Sequence, residues 1–204
     1  KDKNGNWINP SEVFSNDGKN FFLIKNPKEK IKVGPSESMS KSKKNTIDPE
    51  QMIEKYGADA VRLFILSDSP PEKDIQWSEN GMSSSYKYIQ KFWTMSSEII
   101  NLIQGDKTHD EEKSIDVFTN QSLNRINTAL EKFRYNVIVA VLHEVFNFYS
   151  KILEKNKNHK NLKENFQKIL IVISPILPHI AHECLAKIDK NIQYVWPTVK
   201  KEFL

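Results

Sequence analysis

Lysine side chains are concentrated in one short stretch whose second half has the composition of a loop. Between Lys25 and Lys44, seven lysines stand against only two acids, Glu29 and Glu37. Residues 34–47 have no periodic apolar pattern and contain several serines, so we expect an exposed, mobile loop. Ammonium groups beside hydroxyls suit the binding of a polyphosphate or of a nucleic-acid backbone.

A second lysine cluster lies near the C-terminal end of the chain. Between Lys151 and Lys168 there are six lysines against Glu154 and Glu164. Such a run is typical of a nucleic-acid surface, but it is equally typical of a solvated helical face. The sequence leaves both interpretations open.

Composition excludes several classes of protein. The 204 residues are 38% hydrophobic and 27% charged with a net charge of +4, as expected of a globular protein with a real core. The single cysteine, Cys184, excludes an intramolecular disulfide and a cysteine-rich zinc site. No stretch reaches the roughly 20 apolar residues of a membrane helix. We therefore expect a cytoplasmic protein without membrane contact, and the absence of an initiator Met suggests a piece of a larger chain.

Short strands are expected before the loop. The segments 12–14, 20–24 and 30–33 are β-prone, Asn16-Asp17-Gly18 is a hairpin signal, and Asn26-Pro27 predicts a second turn. After the loop, Asp48-Pro49-Glu50 is a helix start, and Gly57 can end that helix before another begins at Asp59.

Most of the remaining chain has helical periodicity. The predicted helices cover about residues 81–104, 116–132, 136–155, 160–174 and 178–188. Long helices joined by short polar connections predict an antiparallel bundle. The expected fold is therefore mainly α: a β-rich segment (1–35), the lysine loop with connecting helices (36–80) and a helical bundle (81–204).

The loop and the residues after it carry a resemblance to a known family. The segment Ser38-Met39-Ser40-Lys41-Ser42 is similar to the Lys-Met-Ser-Lys-Ser signature of class I aminoacyl-tRNA synthetases. The residues at 45–49 and 53–64 look like the family's continuation. The connection 69–81 with Phe92-Trp93, the segment 7–13, and the stretches 135–140, 174–183 and 195–197 resemble leucyl-tRNA synthetases most closely. The resemblance covers nearly the whole chain.

The resemblance implies an enzyme that joins leucine to tRNA(Leu) with ATP and the Mg²⁺ that accompanies it. Lys41 matches the lysine on which the family relies most, so it is expected to act in catalysis. The residues expected to contact ATP are Ser38, Met39, Ser40, Lys41, Ser42 and Lys43. Ser38 stands where the family usually has its first lysine, and we hypothesise that Lys43 or Lys44 supplies the missing charge.

The bundle is expected to dock tRNA(Leu). Arg125, Lys132 and Arg134 are the candidates for contacts with tRNA phosphates, and a solvated face is the alternative. The chain lacks a His-Ile-Gly-His motif, an editing insertion and most of a catalytic domain, so alone it is expected to be inactive. Two alternatives stay open: a non-catalytic tRNA-binding or scaffold module, and the same region of an isoleucyl, valyl or methionyl enzyme.

Several other residues invite a functional interpretation that the pattern does not favour. His179, His182 and Glu183 match no common zinc arrangement, so no metal site is predicted. Cys184 is expected to be a buried apolar residue. The aromatic residues Trp77, Phe92 and Trp93 are expected in the core. Arg62 is expected to brace the fold by pairing with Asp59 or Asp68, and a contact with the tRNA backbone is the alternative.

Overall fold

Three short antiparallel strands form the first part of the chain. In the computed structural model, which describes residues 1–67, 70, 72–105 and 107–204, they are β1 (Val13–Phe14), β2 (Phe21–Leu23) and β3 (Asn26–Ile31), in the order β1-β2-β3. Phe14 lies opposite Phe22 across the first pair, with ring centroids 5.9 Å apart. The predicted strands are present, although each is short.

The predicted hairpin turn joins β1 to β2. The carboxylate of Asp17 accepts the backbone N–H groups of Lys19 at 2.9 Å and Asn20 at 2.7 Å. These bonds, with that of Asn20 first among them, hold the pKa of the Asp17 carboxyl below its ordinary value. Gly18 follows with φ +67°, a conformation that glycine adopts without strain.

The second turn lies two residues before the predicted one. The chain reverses at Ile24-Lys25, while Asn26 and Pro27 already belong to β3, so the predicted turn at Asn26-Pro27 is wrong. Among the described strands β3 pairs only with β2, and proline is tolerated on such an edge because its missing N–H is not needed there.

Two consecutive helices follow the loop, as predicted. They are α1 (Pro49–Tyr56) and α2 (Ala58–Ser67), and Gly57 between them has φ +80°. By compactness the described chain forms two units, Lys1–Met52 and Ile53–Leu204, and the division falls inside α1. The division of the sequence at residues 35 and 80 stays a prediction.

A helical bundle accounts for most of the second unit and confirms the mainly α fold. Its long helices are α3 (Glu79–Ile103), α4 (Lys113–Glu131), α5 (Tyr135–Lys155), α6 (Leu162–Ile173) and α7 (Pro178–Ile188). The core between them buries completely Leu123, Ile126, Leu142, Phe166 and Ile169. Burying each such side chain contributes about 1.5–3 kcal/mol to stability. Helix α2 packs against α3, α5 and α7 and so belongs to the bundle.

Two short strands in the connections of the bundle have no counterpart among the predicted elements. Strands β4 (Thr108–His109) and β5 (Asn158–His159) form a parallel two-residue pair. Two residues are too few to show a strand period, so sequence reasoning missed both.

We expect Gly81→Ala to destabilise the bundle, although alanine in a helix is favoured over glycine by about 1 kcal/mol. A Cβ at Gly81 would lie 2.7 Å from Cε2 of Phe64. The Phe64 ring is buried and packs edge-on against Trp77 at 5.2 Å, so it has little room to move. Overpacking typically costs about 1–3 kcal/mol, and the net loss should appear as a lower midpoint of urea unfolding.

The matched control for this substitution is Gly34→Ala. Apart from the chain neighbours of Gly34, no atom of the described residues lies within 4 Å of a Cβ at that position, so the control should leave the midpoint unchanged. A Gly81→Ala variant as stable as the parent would contradict the packing described for Phe64.

Candidate functional site

The lysine loop, Glu37 to Asn45, is closed by a single asparagine side chain. The Oδ1 atom of Asn45 accepts the backbone N–H of Ser40 at 2.7 Å, and its Nδ2 atom donates to the carbonyl oxygen of Ser38 at 3.3 Å. The hydroxyls of Ser40 and Ser42 are 2.8 Å apart. The loop therefore has a defined shape, with one 3₁₀ turn at Lys41–Lys43.

The three lysines of the loop differ in how their charges are compensated. The Nζ atom of Lys43 binds the carboxylate of Glu37, and this contact lowers the pKa of the Glu37 carboxyl. Lys41 and Lys44 are exposed, and within the described part of the chain neither ammonium group has a carboxylate partner. Lys41 and Lys44 are thus the two cations of the loop that an anionic ligand meets without competition.

The start of α1 is poorly suited to bind a further phosphate. The positive end of a helix dipole lies at the N-terminus of the helix, here four residues after Asn45. In the structure the carboxylate of Asp48 accepts the backbone N–H of Glu50 at 3.0 Å, and Glu50 adds a second acid in the first turn. Because two carboxylates already compensate this helix end, a phosphate gains little from it.

Asn45 lies in the segment that resembles the synthetases, but the sequence alone predicted no role for it. The available signal was its type: an amide donates from its nitrogen and accepts at its oxygen, so one Asn side chain can bridge two backbone groups. Such a residue at the end of a serine-rich loop can close it.

The candidate residues of the bundle fall into two groups. Lys132 and Arg134 are exposed at the turn between α4 and α5, and no described carboxylate pairs with either. Arg125 lies seven positions before Lys132, roughly 10 Å along the helix at about 1.5 Å per residue. Its guanidinium binds the carboxylate of Glu144 on α5, with Nη2 to Oε1 at 2.9 Å. A phosphate would have to compete with Glu144 for Arg125.

The turn between α4 and α5 is a Schellman motif with an unusual residue at its left-handed position. The backbone N–H of Arg134 donates to the carbonyl of Ala129 at 2.8 Å, and that of Phe133 donates to Leu130 at 3.1 Å. Phe133 has φ +52° where glycine is the usual residue. A non-glycine residue in this conformation costs about 1–2 kcal/mol. Sequence reasoning named the two basic neighbours and missed Phe133.

Asp59 and Arg62 on α2 fasten the turn between α6 and α7. Asp59 is buried; its Oδ2 atom accepts the backbone N–H of Ile180 at 2.8 Å and its Oδ1 atom contacts Nδ1 of His179 at 2.9 Å. Arg62 donates to the carbonyls of Ile176 at 3.0 Å and Pro175 at 2.5 Å. Arg62 therefore braces the fold as expected. The predicted pairing with Asp59 is wrong, because Asp59 caps α7, and the alternative partner Asp68 lies outside the described residues.

The aromatic residues and the cysteine singled out in the sequence pack against other side chains of the fold. Phe92 is completely buried, while Trp77 packs edge-on against Phe64 and Trp93 lies under the ammonium of Lys187 at 4.2 Å. Cys184 is buried as expected, and burial raises the pKa of its thiol to about 11. No group of three His, Cys, Asp or Glu side chains suited to a metal ion occurs among the residues that the structure describes. Nor is any helix in the described ranges long and apolar enough to cross a membrane.

Comparison with known proteins gives matches for both halves of the chain. Residues 32–78 match the family model for tRNA synthetases class I (I, L, M and V), and residues 112–204 match that for the anticodon-binding domain of tRNA ligase. The fold resembles the agnB2 LeuRS of Agrobacterium radiobacter K84, solved in a ternary complex with tRNA and LeuAMS. The TM-score is 0.71 at 20% identity, over 81% of this chain and 22% of that one.

Curated relatives refine the match. The chain is 38% identical to a leucine–tRNA ligase of Rickettsia bellii, over 100% of this chain and 24% of that protein. It is 37% identical to one of Wolbachia pipientis, again over 100% and 24%. A leucine–tRNA ligase of Bartonella henselae is 32% identical, over 94% of this chain and 23% of that protein.

These matches, together with the lysine loop and the bundle, place the chain in the class I aminoacyl-tRNA synthetases. Within that class it belongs with the leucine–tRNA ligases, and it includes their anticodon-binding domain. The named relatives give no support to an isoleucyl, valyl or methionyl identity. The chain spans about a quarter of the length of the curated relatives it matches.

Proposed function

We propose that this chain supplies the ATP-phosphate loop and the tRNA-docking bundle of an enzyme that joins leucine to tRNA(Leu). The observation that carries the proposal is the loop itself: Asn45 closes it, and Lys41 is exposed with no carboxylate partner in the described ranges. Since the matched relatives are about four times longer than the chain, leucine binding and most of the active site belong to other parts of the protein.

The proposed role of the loop is to stabilise the triphosphate while leucyl adenylate forms. Attack of the leucine carboxylate on the α-phosphate releases pyrophosphate, and negative charge grows on the leaving group. The ammonium of Lys41 meets that charge, and the hydroxyls of Ser38, Ser40 and Ser42 with nearby backbone N–H groups hold the phosphates. Met39 is 49% exposed, and Ser38, Lys41 and Ser42 are exposed as well, so this part of the loop is accessible to ATP.

Lys44 is the better candidate to replace the lysine that the family usually has at position 38. Both Lys43 and Lys44 follow the catalytic lysine, but the carboxylate of Glu37 already compensates the charge of Lys43. An exposed pair of this kind contributes only about 0–1 kcal/mol, so ATP can still displace Glu37 and recruit Lys43. We therefore assign Lys44 the first contact and Lys43 a secondary one.

The Mg²⁺ of the reaction is proposed to enter with ATP. Mg²⁺ prefers carboxylate and phosphate oxygens as ligands. In the loop the carboxylate is that of Glu37, which binds Lys43. The loop is thus suited to phosphates and poorly suited to holding the metal, which the phosphates of ATP would hold.

The bundle is proposed to dock tRNA(Leu) in the cytoplasm, with Lys132 and Arg134 contacting its backbone. Both side chains are exposed at one turn, and the part of the chain that the structure describes offers them no carboxylate partner. Arg125 is proposed as a weaker contact because Glu144 competes for its guanidinium. Contacts of this kind position a nucleic acid without reading its sequence.

We expect the double substitution Lys132→Ala and Arg134→Ala to weaken binding to all tRNAs alike. Each lost phosphate contact should reduce the slope of log affinity against log salt concentration by about 0.7–0.9, or roughly 1.5 for the pair. Arg125→Ala should change the slope less. Fluorescence anisotropy with a labelled tRNA between about 50 and 200 mM salt measures these slopes. A loss confined to tRNA(Leu) would contradict a backbone contact.

A chimeric enzyme tests the proposed function. The matching quarter of the Rickettsia bellii leucine–tRNA ligase is replaced by this chain, and leucylation of tRNA(Leu) is compared with that of the parent. The proposal predicts activity within about tenfold of the parent, or about 1.4 kcal/mol in activation free energy. A folded chimera that forms no leucyl-tRNA would contradict it.

The alternative is a non-catalytic tRNA-binding module, and the departure at Ser38 favours it. Such a module would give a chimera that binds tRNA(Leu) normally but forms no leucyl adenylate. Adenylate formation that depends on Lys41 would exclude this alternative.

A further inference from the structure

The turn between α4 and α5 exposes an aromatic side chain at a position where the backbone conformation favours glycine. Phe133 holds the left-handed position of the Schellman motif, where glycine would be free of strain. Its backbone conformation thus disfavours the residue that stands there.

Packing does not compensate for this strain. Phe133 is 62% exposed, more than Tyr194 at 51% and Trp196 at 41%. Those two rings have partners: Tyr194 lies 4.6 Å from the ring of His182, and the indole N–H of Trp196 donates to Asn127 at 3.0 Å. The ring contact recorded for Phe133 is a T-shaped one with Tyr135, at a centroid distance of 6.3 Å.

The charges around Phe133 indicate what covers the ring. Lys132 and Arg134 flank it directly, both are exposed, and no described carboxylate pairs with them. Glu131 is the nearest acid along the chain. An exposed apolar ring whose two neighbours along the chain are cations complements an unpaired nucleobase, because a base offers a π-face and has a phosphate on either side. An apolar partner protein would not need the two cations.

We propose that Phe133 stacks on an unpaired base of the tRNA that the bundle binds, while Lys132 and Arg134 contact the flanking phosphates. This proposal rests on the proposed tRNA-docking function and adds to it a contact that requires an unstacked base. It assigns the aromatic residue to recognition of tRNA shape, since every base offers a face to stack on.

Phe133→Gly separates this role from a structural one, because the two roles predict opposite effects. Glycine relieves the backbone strain, so the variant should melt at the same temperature as the parent or higher. If the ring stacks on a base, affinity for an unmodified tRNA(Leu) transcript should fall about tenfold to a hundredfold. The slope of log affinity against log salt should stay unchanged, because no charge is lost.

Three comparisons complete the test on the full 204-residue chain. Phe133→Trp should keep the affinity, since tryptophan stacks at least as well. Ile65→Ala, which removes an apolar side chain 46% exposed on α2, should bind like the parent. Binding of a fully paired RNA duplex should not respond to Phe133→Gly, because the duplex has no unpaired base to stack.

The outcomes distinguish this inference from the function on which it rests. A parent chain that binds tRNA(Leu), with Phe133→Gly binding equally well, overturns the stacking role and leaves the docking function intact. Equal losses for tRNA and duplex also overturn it, because the ring would then act without an unpaired base. A folded parent chain that binds no RNA at low salt overturns both.

Discussion

Replacing Lys41 by alanine in the chimeric leucine–tRNA ligase is expected to lower leucyl-adenylate formation by roughly a hundredfold to a thousandfold. Removing one group that stabilises charge in a transition state typically has an effect of this size. Lys41 is exposed and has no carboxylate partner among the residues that the structure describes, so its charge is available to the leaving pyrophosphate. Leucine-dependent ATP–pyrophosphate exchange measures the loss directly.

Substitutions of other lysines distinguish the effect of Lys41→Ala from that of a general loss of positive charge. Lys28→Ala, at an exposed position on β3, removes the same charge outside the loop and should leave the exchange rate unchanged. Lys44→Ala should reduce the rate more than Lys43→Ala, because Glu37 already compensates Lys43. If Lys41→Ala weakened tRNA binding and left exchange intact, the loop would not have the proposed role.

Replacing Asp59 by alanine is expected to lower the free energy of unfolding by about 2–4 kcal/mol. The substitution leaves the backbone N–H groups of His179 and Ile180, in the first turn of α7, without their acceptor, and each lost capping bond costs about 1–2 kcal/mol. For a chain of this length, 1 kcal/mol corresponds to roughly 2–4 °C in the melting temperature. The variant should therefore melt roughly 4–16 °C below the parent.

Asp59→Asn is the matched control for this prediction. The amide keeps one oxygen that can accept the N–H of Ile180, so the loss of stability should be smaller. Arg62→Ala should destabilise by about 1–3 kcal/mol, because the carbonyls of Pro175 and Ile176 lose their donor. Equal stability of Asp59→Ala and the parent would contradict the capping role.

Local signals predicted most of the helical architecture. Asp48 before Pro49 predicted the start of α1, and Gly57 predicted its end, because capping depends on a few neighbouring residues. The last predicted helix, about 178–188, has the observed bounds of α7, which begins at Pro178. The predicted bundle helices lie close to the observed ones since a buried apolar stripe repeats with the helical period.

Contacts between residues far apart in the sequence could not be predicted from the sequence alone. Asp59 and Ile180 are 121 positions apart, and no local pattern pairs them. Asn161 behaves similarly: its side chain accepts from the N–H of Glu112 at 3.2 Å and donates to that residue's carbonyl at 3.1 Å. The Asn161 side chain takes the place of a backbone partner for Glu112. The tertiary fold determines which backbone group such an amide can reach.

The candidate site was predicted in part by its residue types. The lysines and serines of the loop led to the prediction that it binds phosphates, and the resemblance singled out Lys41. The pairing of Lys43 with Glu37 and the closure of the loop by Asn45 needed coordinates, because both depend on how the loop folds back. Phe133 was missed because its strain and exposure have no sequence pattern.

The most direct test of the central claim is leucine-dependent ATP–pyrophosphate exchange by the Rickettsia bellii enzyme lacking its matching quarter, with and without this chain joined in its place. We expect no exchange by the shortened enzyme and no exchange by this chain alone. When the two are joined, we expect exchange that depends on Lys41. Two results would contradict the claim that the chain supplies the lysine loop of a leucine–tRNA ligase. One is exchange by this chain alone; the other is no exchange by a correctly folded chimera of the shortened enzyme and this chain.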